Sequence, residues 1–462
     1  MKSKSLFLFY GIISFLILAI FSFYFFRERI AFTDLSFHLF TLVRTAKFAI
    51  FNYRYTAAFS QMLPLFAIKC EQSLYVISAF YSFSFVLVQF CVFLVIVFYF
   101  KNYFLAACLL LLQVLQIRHT FYWTGSEFIP GVAFLFLPIA YIEKRTSSVS
   151  KIRHAVMLIL FLLPVIFSHP VIVFPFLYIV VFFFLTQKGK RKSLIWLTLL
   201  FLLLFIAKYF LLKSNYDAGA LSSLNPKKLK WHIMLHYPSH QLFINNLWKH
   251  YNLMAVIFCF SLFLLAIKRN YLLAVLLVTV CLLYIALVNL NYPQGAELFY
   301  IENLYLPLSV FIILPLVYSL FNYIKNTMLI HAFLLLILLV GLIQIYQTHT
   351  PYTARIGWMY GIMDKAKSAN QTKIILPVRD VPLDTLGMAW GSPYEFWILS
   401  TLKYKSTTSV IIEETPHEYD WIKDSKNIFI TKWGNFAYDQ LNPKYFVLTD
   451  SSSYQIVQAK HE

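Results

Sequence analysis

Long apolar runs constrain this chain more than any other feature, because each of them is long enough to cross a lipid bilayer. The first run, Leu6–Phe26, follows the short basic segment MKSKS, and the second covers Leu74–Phe100. Among the 462 residues, 60% are hydrophobic and 13% are charged. A soluble protein of this length does not need so much apolar surface, so the sequence predicts a polytopic, all-α membrane bundle.

Windows of about 20 apolar residues predict eleven membrane spans. Their residues are 6–26, 73–100, 103–117, 128–142, 154–168, 171–186, 193–213, 251–267, 271–289, 302–321 and 327–347. The segment Ser168-His169-Pro170 leaves open whether residues 154–186 form two spans or one kinked span. No small-residue cleavage site follows the first run, so we expect it to remain in the protein as a helix.

The short links EKRTSSVSKIR, QKGKRKS and KRN carry concentrated positive charge, which is typical of cytoplasmic loops. They predict a cytoplasmic N-terminus for a multi-pass protein of the inner (plasma) membrane. With eleven spans, residues 349–462 then lie on the outer face, together with a long first outer loop, residues 27–72.

The C-terminal region, residues 349–462, differs in composition from the transmembrane domain, residues 1–348. It contains 12 Lys and Arg against 12 Asp and Glu, whereas residues 1–348 contain 27 against 8. Short β-rich runs (KIILPV, TTSVIIEE, NIFITKW, KYFVLTD and YQIVQA) alternate with helical stretches. The pattern predicts a small α/β extracytoplasmic domain.

Aromatic and aliphatic residues recur every three to four positions in the first outer loop, with basic residues such as Arg44 between them. This spacing is typical of a helix that lies at a membrane interface. The loop contains an isolated carboxylate, Asp34, and helical spacing places His38 on the same face. Such a carboxylate can have a raised pKa and serve as a general base, or it can simply pair with a neighbouring arginine or cap a helix.

A second acid, Glu127, lies in the next outer turn, RHTFYWTGSEF. If both loops cover the same group of helices, Glu127 and Asp34 converge, and together they could orient an acceptor hydroxyl or hold a divalent cation. The alternative is that Glu127 only starts the fourth span and has Arg118 as a surface partner.

Basic side chains at the predicted outer helix ends are candidates for binding an anionic ligand. Lys208 lies inside the seventh span, where snorkelling to the interface is the alternative to binding a lipid phosphate. Arg118 and His169 lie near the same face. His232 and His236 have the i, i+4 spacing of a metal pair, although an amphipathic interfacial helix explains them better.

The sequence lacks the motifs that identify several functional classes. The chain has no P-loop, GxGxxG or GxSxG in a suitable context, so nucleotide hydrolysis and Rossmann-type chemistry are not indicated. Its five cysteines lie in or beside the spans without a CxxC pair, which argues against a redox or cysteine-based metal site. We expect no nucleic-acid partner, and a divalent metal is the one cofactor left open.

The arrangement resembles the integral-membrane glycosyltransferases of the GT-C superfamily, which include mannosyltransferases and aminoarabinose transferases. The shared features are a first outer loop with one key acid, here Asp34 in AFTDLSFHL, and a second acid in the next outer loop, here Glu127. The segment NLYLPLSV, with Tyr305, resembles a Tyr-Leu-Pro segment that many members carry at this point. One departure is Thr33, which precedes Asp34 where mannosyltransferases have a second acid.

The resemblance implies that a sugar moves from a polyprenyl-phosphate donor to a lipid, glycan or protein acceptor on the outer face. Asp34 would act as the base, and Glu127 would support it. The donor phosphate would be held by basic outer-face residues, namely Lys208, Arg118 and His169. Accessory positions would be filled by His38, Arg44 and Tyr305.

Two other functions stay open. An envelope polysaccharide polymerase or ligase is also polytopic with basic outer loops, but it relies on outer Arg and His side chains instead of a first-loop acid. A lipid or oligosaccharide transporter predicts internal repeats and polar residues through the depth of the bundle, and the sequence shows neither pattern.

Overall fold

A computed structural model describes residues 2–115, 117–125, 127–144, 150–212, 214–217 and 236–457. Most of these residues are helical, and all strands within these ranges lie after residue 372. The fold therefore combines a large helical region with a small C-terminal region that contains sheets, as the sequence predicts.

In the described part of the chain, six helices are long and apolar enough to cross a membrane. They are Lys4–Tyr24, Leu74–Tyr99, Lys188–Leu211, Tyr271–Asn291, Leu298–Tyr323 and Thr327–Ser368. A bent pair, Pro238–Lys249 with Asn252–Ile267, makes seven if it forms one span, and its two axes differ by 87°. These helices agree with the predicted membrane protein.

The predicted number of eleven spans is not confirmed. Helices do occupy the other predicted spans, but they contain only 10 to 17 residues each. They are Tyr103–Leu112, Phe128–Lys144, Lys151–Ile166, Val173–Thr186 and Asn252–Ile267. Helices of this length rise roughly 15–26 Å, which is less than the hydrocarbon thickness of about 30 Å.

One helix ends and another begins around Ser168-His169-Pro170, the segment whose helical continuity the sequence left open. A 3₁₀ turn, Pro170–Ile172, separates Lys151–Ile166 from Val173–Thr186. The backbone N–H of Val171 donates to His169 Nδ1 at 3.3 Å, so the imidazole caps the turn. Residues 154–186 therefore contain two helices, not one kinked helix.

Residues 27–72, for which we keep the name first outer loop although their side of the membrane stays a prediction, are mostly helical, as their spacing predicts. The helices are Phe26–Ile30, Thr33–Thr45 and Ala57–Lys69. Of the 13 residues in Thr33–Thr45, which we call the first-loop helix, eight are buried. Ala57–Lys69 packs along Leu74–Leu94. Protein thus covers much of the apolar face that the sequence assigned to a membrane interface.

The C-terminal region forms two small sheets. Strands β1 (Lys373–Pro377), β2 (Ser409–Glu413) and β5 (Gln455–Ile456) form a parallel sheet in the order β2-β1-β5. Strands β3 (Ile428–Thr431) and β4 (Gly434–Ala437) form an antiparallel hairpin. The helix Ser392–Tyr404 lies between β1 and β2 in the chain, so the predicted alternation of strands and helices is present.

One predicted strand does not form. The run KYFVLTD, residues 444–450, begins in a turn and continues as irregular chain. Its aromatic side chains pack inward, and Phe446 stacks on Trp397 with the ring centroids 4.5 Å apart. The Thr407 N–H donates to the carbonyl of Val447 at 2.8 Å, but this single bond does not extend into a ladder. In this run, the residues that favour strands pack into the core without forming a strand.

The predicted boundary at residue 348 lies inside a continuous helix. Thr327–Gln347 and His349–Ser368 are separated by one residue and together form a helix of 42 residues. The C-terminal region is therefore joined to the last long helix through helical backbone, without an intervening loop.

The C-terminal region also packs directly on the first outer loop. Ser392–Tyr404, which we call the docking helix, lies against the first-loop helix. The Phe40 ring contacts the rings of Tyr394 and Trp397, with centroid separations of 5.0 and 5.5 Å. These buried residues belong to one hydrophobic core that the two regions share. The shared core determines how the C-terminal region approaches Asp34.

Candidate functional site

Asp34 lies in the first turn of the first-loop helix, against the second outer turn. The indole Nε1 of Trp123 donates to Asp34 Oδ2 at 3.2 Å. A Cβ atom added at Gly125 would lie 2.8 Å from the Asp34 Cβ, so glycine permits this close approach. Asp34 is half-buried, whereas Thr33 and Leu35 are buried, so part of the residue remains accessible.

Arg54 forms ion pairs with Glu127 and with a third acid, Asp217, near Asp34. Its guanidinium contacts Glu127 Oε2 at 3.4 Å and Asp217 Oδ1 at 2.8 Å. The Asp34 carboxyl interacts electrostatically with both Glu127 and Arg54. We call these four residues the Asp34 cluster. The acids of the first and second outer loops thus converge, as the sequence suggests, and a third acid joins them.

The surroundings raise the pKa of Asp34 to about 6. Burial is the main cause, because the ionised carboxylate loses hydration, and the charge of Glu127 adds to it. The Trp123 indole and the Arg54 guanidinium act in the opposite direction. A carboxylate with this pKa is ionised at neutral pH and is more basic than an ordinary aspartate, which suits a general base.

Arg54 remains a cation with a spare donor. Burial alone would lower the pKa of Arg54, but the carboxylates of Glu127 and Asp217 raise it. Burial raises the pKa of Glu127, and Arg54 partly offsets this rise. The Nε of Arg54 is buried and has no hydrogen-bond partner among the described residues. Because an unpaired buried donor is unfavourable, this edge of the guanidinium suits an anionic ligand.

Lys208 lies near the Asp34 cluster, within electrostatic range of Arg54, Glu127 and Asp217. Its ammonium group does not extend freely towards an interface. It donates to the carbonyl of Ile166 at 2.9 Å, at the C-terminal end of a neighbouring helix. Lys208 thus adds positive charge to the site while having a partner of its own.

His169 also lies near the cluster, but it does not supply the expected positive charge. Burial lowers its pKa well below the usual value, and the charges of Arg54 and Lys208 lower it further. The imidazole is therefore neutral at pH 7. Because Nδ1 accepts from the Val171 N–H, the ring proton lies on Nε2, and His169 can donate one hydrogen bond to a ligand.

His38 follows Asp34 by one helical turn, as predicted. Burial lowers the pKa of His38 to about 4, and the charge of Arg54 contributes. Its ring stacks on Phe51 with the centroids 5.2 Å apart. His38 is therefore a neutral packing residue beside the site at physiological pH.

Arg118 belongs to a different polar cluster, which surrounds the buried Glu302. The backbone N–H groups of Arg118, His119 and Thr120 donate to the Glu302 carboxylate at 2.7–3.0 Å. The Arg118 guanidinium contacts the backbone carbonyl of His250. These contacts hold Arg118 against neighbouring segments of the chain. They include neither Lys208 nor His169, the other two predicted phosphate ligands.

Arg44 and Tyr305 also lie in other surroundings. The Arg44 guanidinium lies over the ring of Phe436, 4.6 Å from its centroid, and so faces the C-terminal region. The Tyr305 hydroxyl donates to Asn289 Oδ1 at 2.7 Å inside the helical region. Neither contact is with a residue of the Asp34 cluster, and the accessory roles of Arg44 and Tyr305 stay predictions.

The described ranges contain no group of three or more His, Cys, Asp and Glu side chains placed to bind a metal ion. Glu127 contacts Arg54. His232 lies outside the described residues, and His236 is exposed. The metal pair suggested by the spacing of these two histidines stays a prediction.

No family model, curated protein or solved structure matches this chain.

Arg54, the residue at the centre of the cluster, and its partner Asp217 were not among the site residues predicted from the sequence. Arg54 lies in the run FNYRYT, where it looked like part of an amphipathic face. A usable signal was present, because two acids that converge in a protein interior require a cation. Arg54 is carried by the same loop as Asp34, but so are Arg27, Arg29 and Arg44, and the sequence does not distinguish among them.

Proposed function

We propose that this protein is a membrane glycosyltransferase that moves a sugar from a polyprenyl-phosphate donor to an acceptor hydroxyl. The observation that carries this proposal is the Asp34 carboxylate, which is half-buried, has a pKa of about 6 and lies near a cation with an unused donor. The transfer needs two such groups, a base for the acceptor and a fixed positive charge for the departing phosphate.

In the proposed step, the acceptor oxygen attacks the anomeric carbon of the sugar while its proton passes to Asp34. A new carbon–oxygen bond forms as the bond between the anomeric carbon and the phosphate oxygen breaks. The electron pair of the broken bond leaves with the phosphate. Attack opposite the phosphate inverts the configuration, so one carboxylate is sufficient and no glycosyl-enzyme intermediate is needed.

Arg54 is the residue best suited to receive the phosphate. Glu127 and Asp217 hold the guanidinium in place, which reduces the reorganisation required when negative charge develops. Lys208 would add charge at longer range, and the neutral His169 would donate from Nε2. This assignment gives Arg54 the role that the sequence analysis gave to Arg118.

The membrane character of the protein supports a lipid-linked donor. A polyprenyl chain partitions into the bilayer, and the long apolar helices keep the protein in that bilayer. We place the reaction on the outer face of the plasma membrane, because the short basic links favour a cytoplasmic N-terminus. The architecture proposed is that of the GT-C superfamily, with the acceptor a lipid, glycan or protein.

The proposed function can be tested by mass analysis of envelope glycans and lipids from cells that lack this protein. We expect products that lack one sugar, and complete products after the wild-type gene is restored. Short repeat units that accumulate would identify a polymerase instead. Complete glycans retained on the cytoplasmic face would identify a transporter.

A further inference from the structure

Arg355 and Glu395 form a buried ion pair, and each partner also contacts the backbone of the first outer loop. The two residues are 2% and 0% exposed. Glu395 Oε2 contacts the Arg355 guanidinium, and Oε1 accepts from the backbone N–H of Thr33 at 2.5 Å. Arg355 also donates to the carbonyl of Ala31 at 2.5 Å. The pair therefore holds the chain immediately before Asp34.

Thr33 has a backbone conformation that requires such support. Its φ of +34° is positive, which a β-branched residue rarely adopts. Conformations of this kind persist only where surrounding contacts enforce them. The C-terminal region contacts Thr33 closely, since a Cβ at Gly391 would lie 2.9 Å from Thr33 Cα and 2.7 Å from Glu395 Oε1.

A contribution to folding stability does not by itself explain the buried pair of Arg355 and Glu395. The desolvation of a buried ion pair offsets most of its attraction, so such pairs are a weak source of folding free energy. Here both partners direct hydrogen bonds at one short segment of another region, Ala31 to Thr33. Trp123 and Gly125 contact the next residue, Asp34, from the second outer turn.

We propose that Arg355, Glu395 and Gly391 are positioning residues, through which the C-terminal region sets the location of the Asp34 carboxylate. The catalytic meaning of this role rests on the proposed function, but the positioning itself does not. The C-terminal region would then be part of the site and not an independent appendage.

The first measurement observes the Asp34 carboxyl without any enzyme assay. A water-soluble carbodiimide activates only protonated carboxyls, and glycine ethyl ester then forms a stable amide. The extent of Asp34 labelling against pH, measured by mass spectrometry of the full chain in nanodiscs, reports its apparent pKa. The groups that face Asp34 or lie in electrostatic range are Glu127, Arg54, Trp123, Tyr81, Tyr216 and Tyr300.

The second measurement is hydrogen–deuterium exchange of the peptide that contains Thr33. Gly391→Ala pushes against Thr33 and leaves both charges in place. Gly357→Ala is the matched control, because a Cβ there meets nothing within 4 Å. Glu395→Gln keeps an oxygen for the Thr33 N–H but weakens the attraction to Arg355.

We expect the Asp34 labelling midpoint, about pH 6 in the wild type, to move towards the ordinary aspartate range in both Gly391→Ala and Glu395→Gln. The Thr33 amide should exchange about tenfold faster, because its hydrogen bond is weakened. Gly357→Ala should behave as the wild type. If sugar transfer is measurable, kcat should fall while the donor KM changes less than about twofold.

Wild-type labelling and exchange in folded Gly391→Ala would overturn the positioning role. Failure of both variants to fold, with a folded Gly357→Ala, would assign these residues to folding and overturn it as well. Altered labelling and exchange would support the role even if wild-type protein transferred no sugar. That last result would refute the proposed function separately.

Discussion

Asp34 differs from an ordinary surface aspartate because protein surrounds it while Trp123 donates to it and Glu127 repels its charge. Asp34→Asn should therefore abolish transfer without unfolding the protein. The amide can still accept from Trp123, but it cannot take up a proton. We expect turnover in nanodiscs to fall about 10²–10⁴-fold, whereas Asp364→Asn, at an exposed acid, should retain it. Normal turnover in Asp34→Asn would show that Asp34 is not the base and has only a structural role.

The activity should fall as the pH drops through about 6, because Asp34 must be ionised to accept the proton and its pKa is about 6. Glu127→Gln removes a negative charge that raises this pKa. The acidic limb of the kcat/KM profile should therefore move to lower pH in Glu127→Gln. A limb that stays in place or moves to higher pH would contradict this electrostatic account.

Arg54 and Lys208 should contribute unequally to donor binding. Arg54→Lys keeps a positive charge for Glu127 and Asp217 but removes the unused Nε donor. We expect donor affinity to fall about tenfold or more, which corresponds to one charge-assisted contact. Lys208→Met should have a smaller effect, because its ammonium group already bonds the Ile166 carbonyl. The measurement is the apparent affinity for a synthetic short-chain donor, and a larger effect of Lys208→Met would reverse the assignment.

At the scale of elements, the docking helix attaches the C-terminal region to the first outer loop. Trp397 is 0% exposed, stacks on Phe446 and contacts Phe40 edge-on. Trp397→Ala should lower the free energy of unfolding of this region by about 3–5 kcal/mol and make the first loop more sensitive to protease. Trp421→Ala, at a residue that is 72% exposed, should change stability little. Equal thermal shifts in the two variants would contradict the docked arrangement.

Local patterns in the sequence predict most elements but not their partners. Helical spacing identifies the first-loop helix, and the proline-containing segment after Ser168 marks a true helix break. The run KYFVLTD fails as a strand because aromatic side chains such as Phe446 serve the core equally well outside a strand. The periodicity of apolar residues indicates which face of an element is buried. It does not indicate which other element packs against that face.

The same limit explains the site. Asp34 and Glu127 could be predicted to converge because consecutive outer loops can cover the same helices. The contacts of Arg118 could not be predicted, because Glu302, which accepts from its backbone N–H, is 184 residues away in the chain and no local pattern reports that contact. The strained backbone at Thr33 could not be predicted from the sequence either. The residue that supports it, Glu395, belongs to the docking helix, which is distant in the chain.

In the whole molecule, the C-terminal region and the first outer loop share one hydrophobic core, so we expect both to lie on the same side of the membrane. In a cysteine-free background, cysteines introduced at the exposed positions Lys47 and Trp421 should both react with a membrane-impermeant thiol reagent added to intact cells. The proposed orientation predicts that both react from outside. Reaction at only one of the two positions would contradict the docked fold, and protection of both would reverse the orientation.

Genetic complementation is the sharpest test of Asp34 as the base of a glycosyl transfer. Cells that lack the protein would receive the wild type, Asp34→Asn or Asp364→Asn at matched membrane levels, and their envelope lipids and glycans would be compared by mass spectrometry. The account predicts that the wild type and Asp364→Asn restore one missing sugar, whereas Asp34→Asn does not. Full restoration of that sugar by Asp34→Asn would contradict the account.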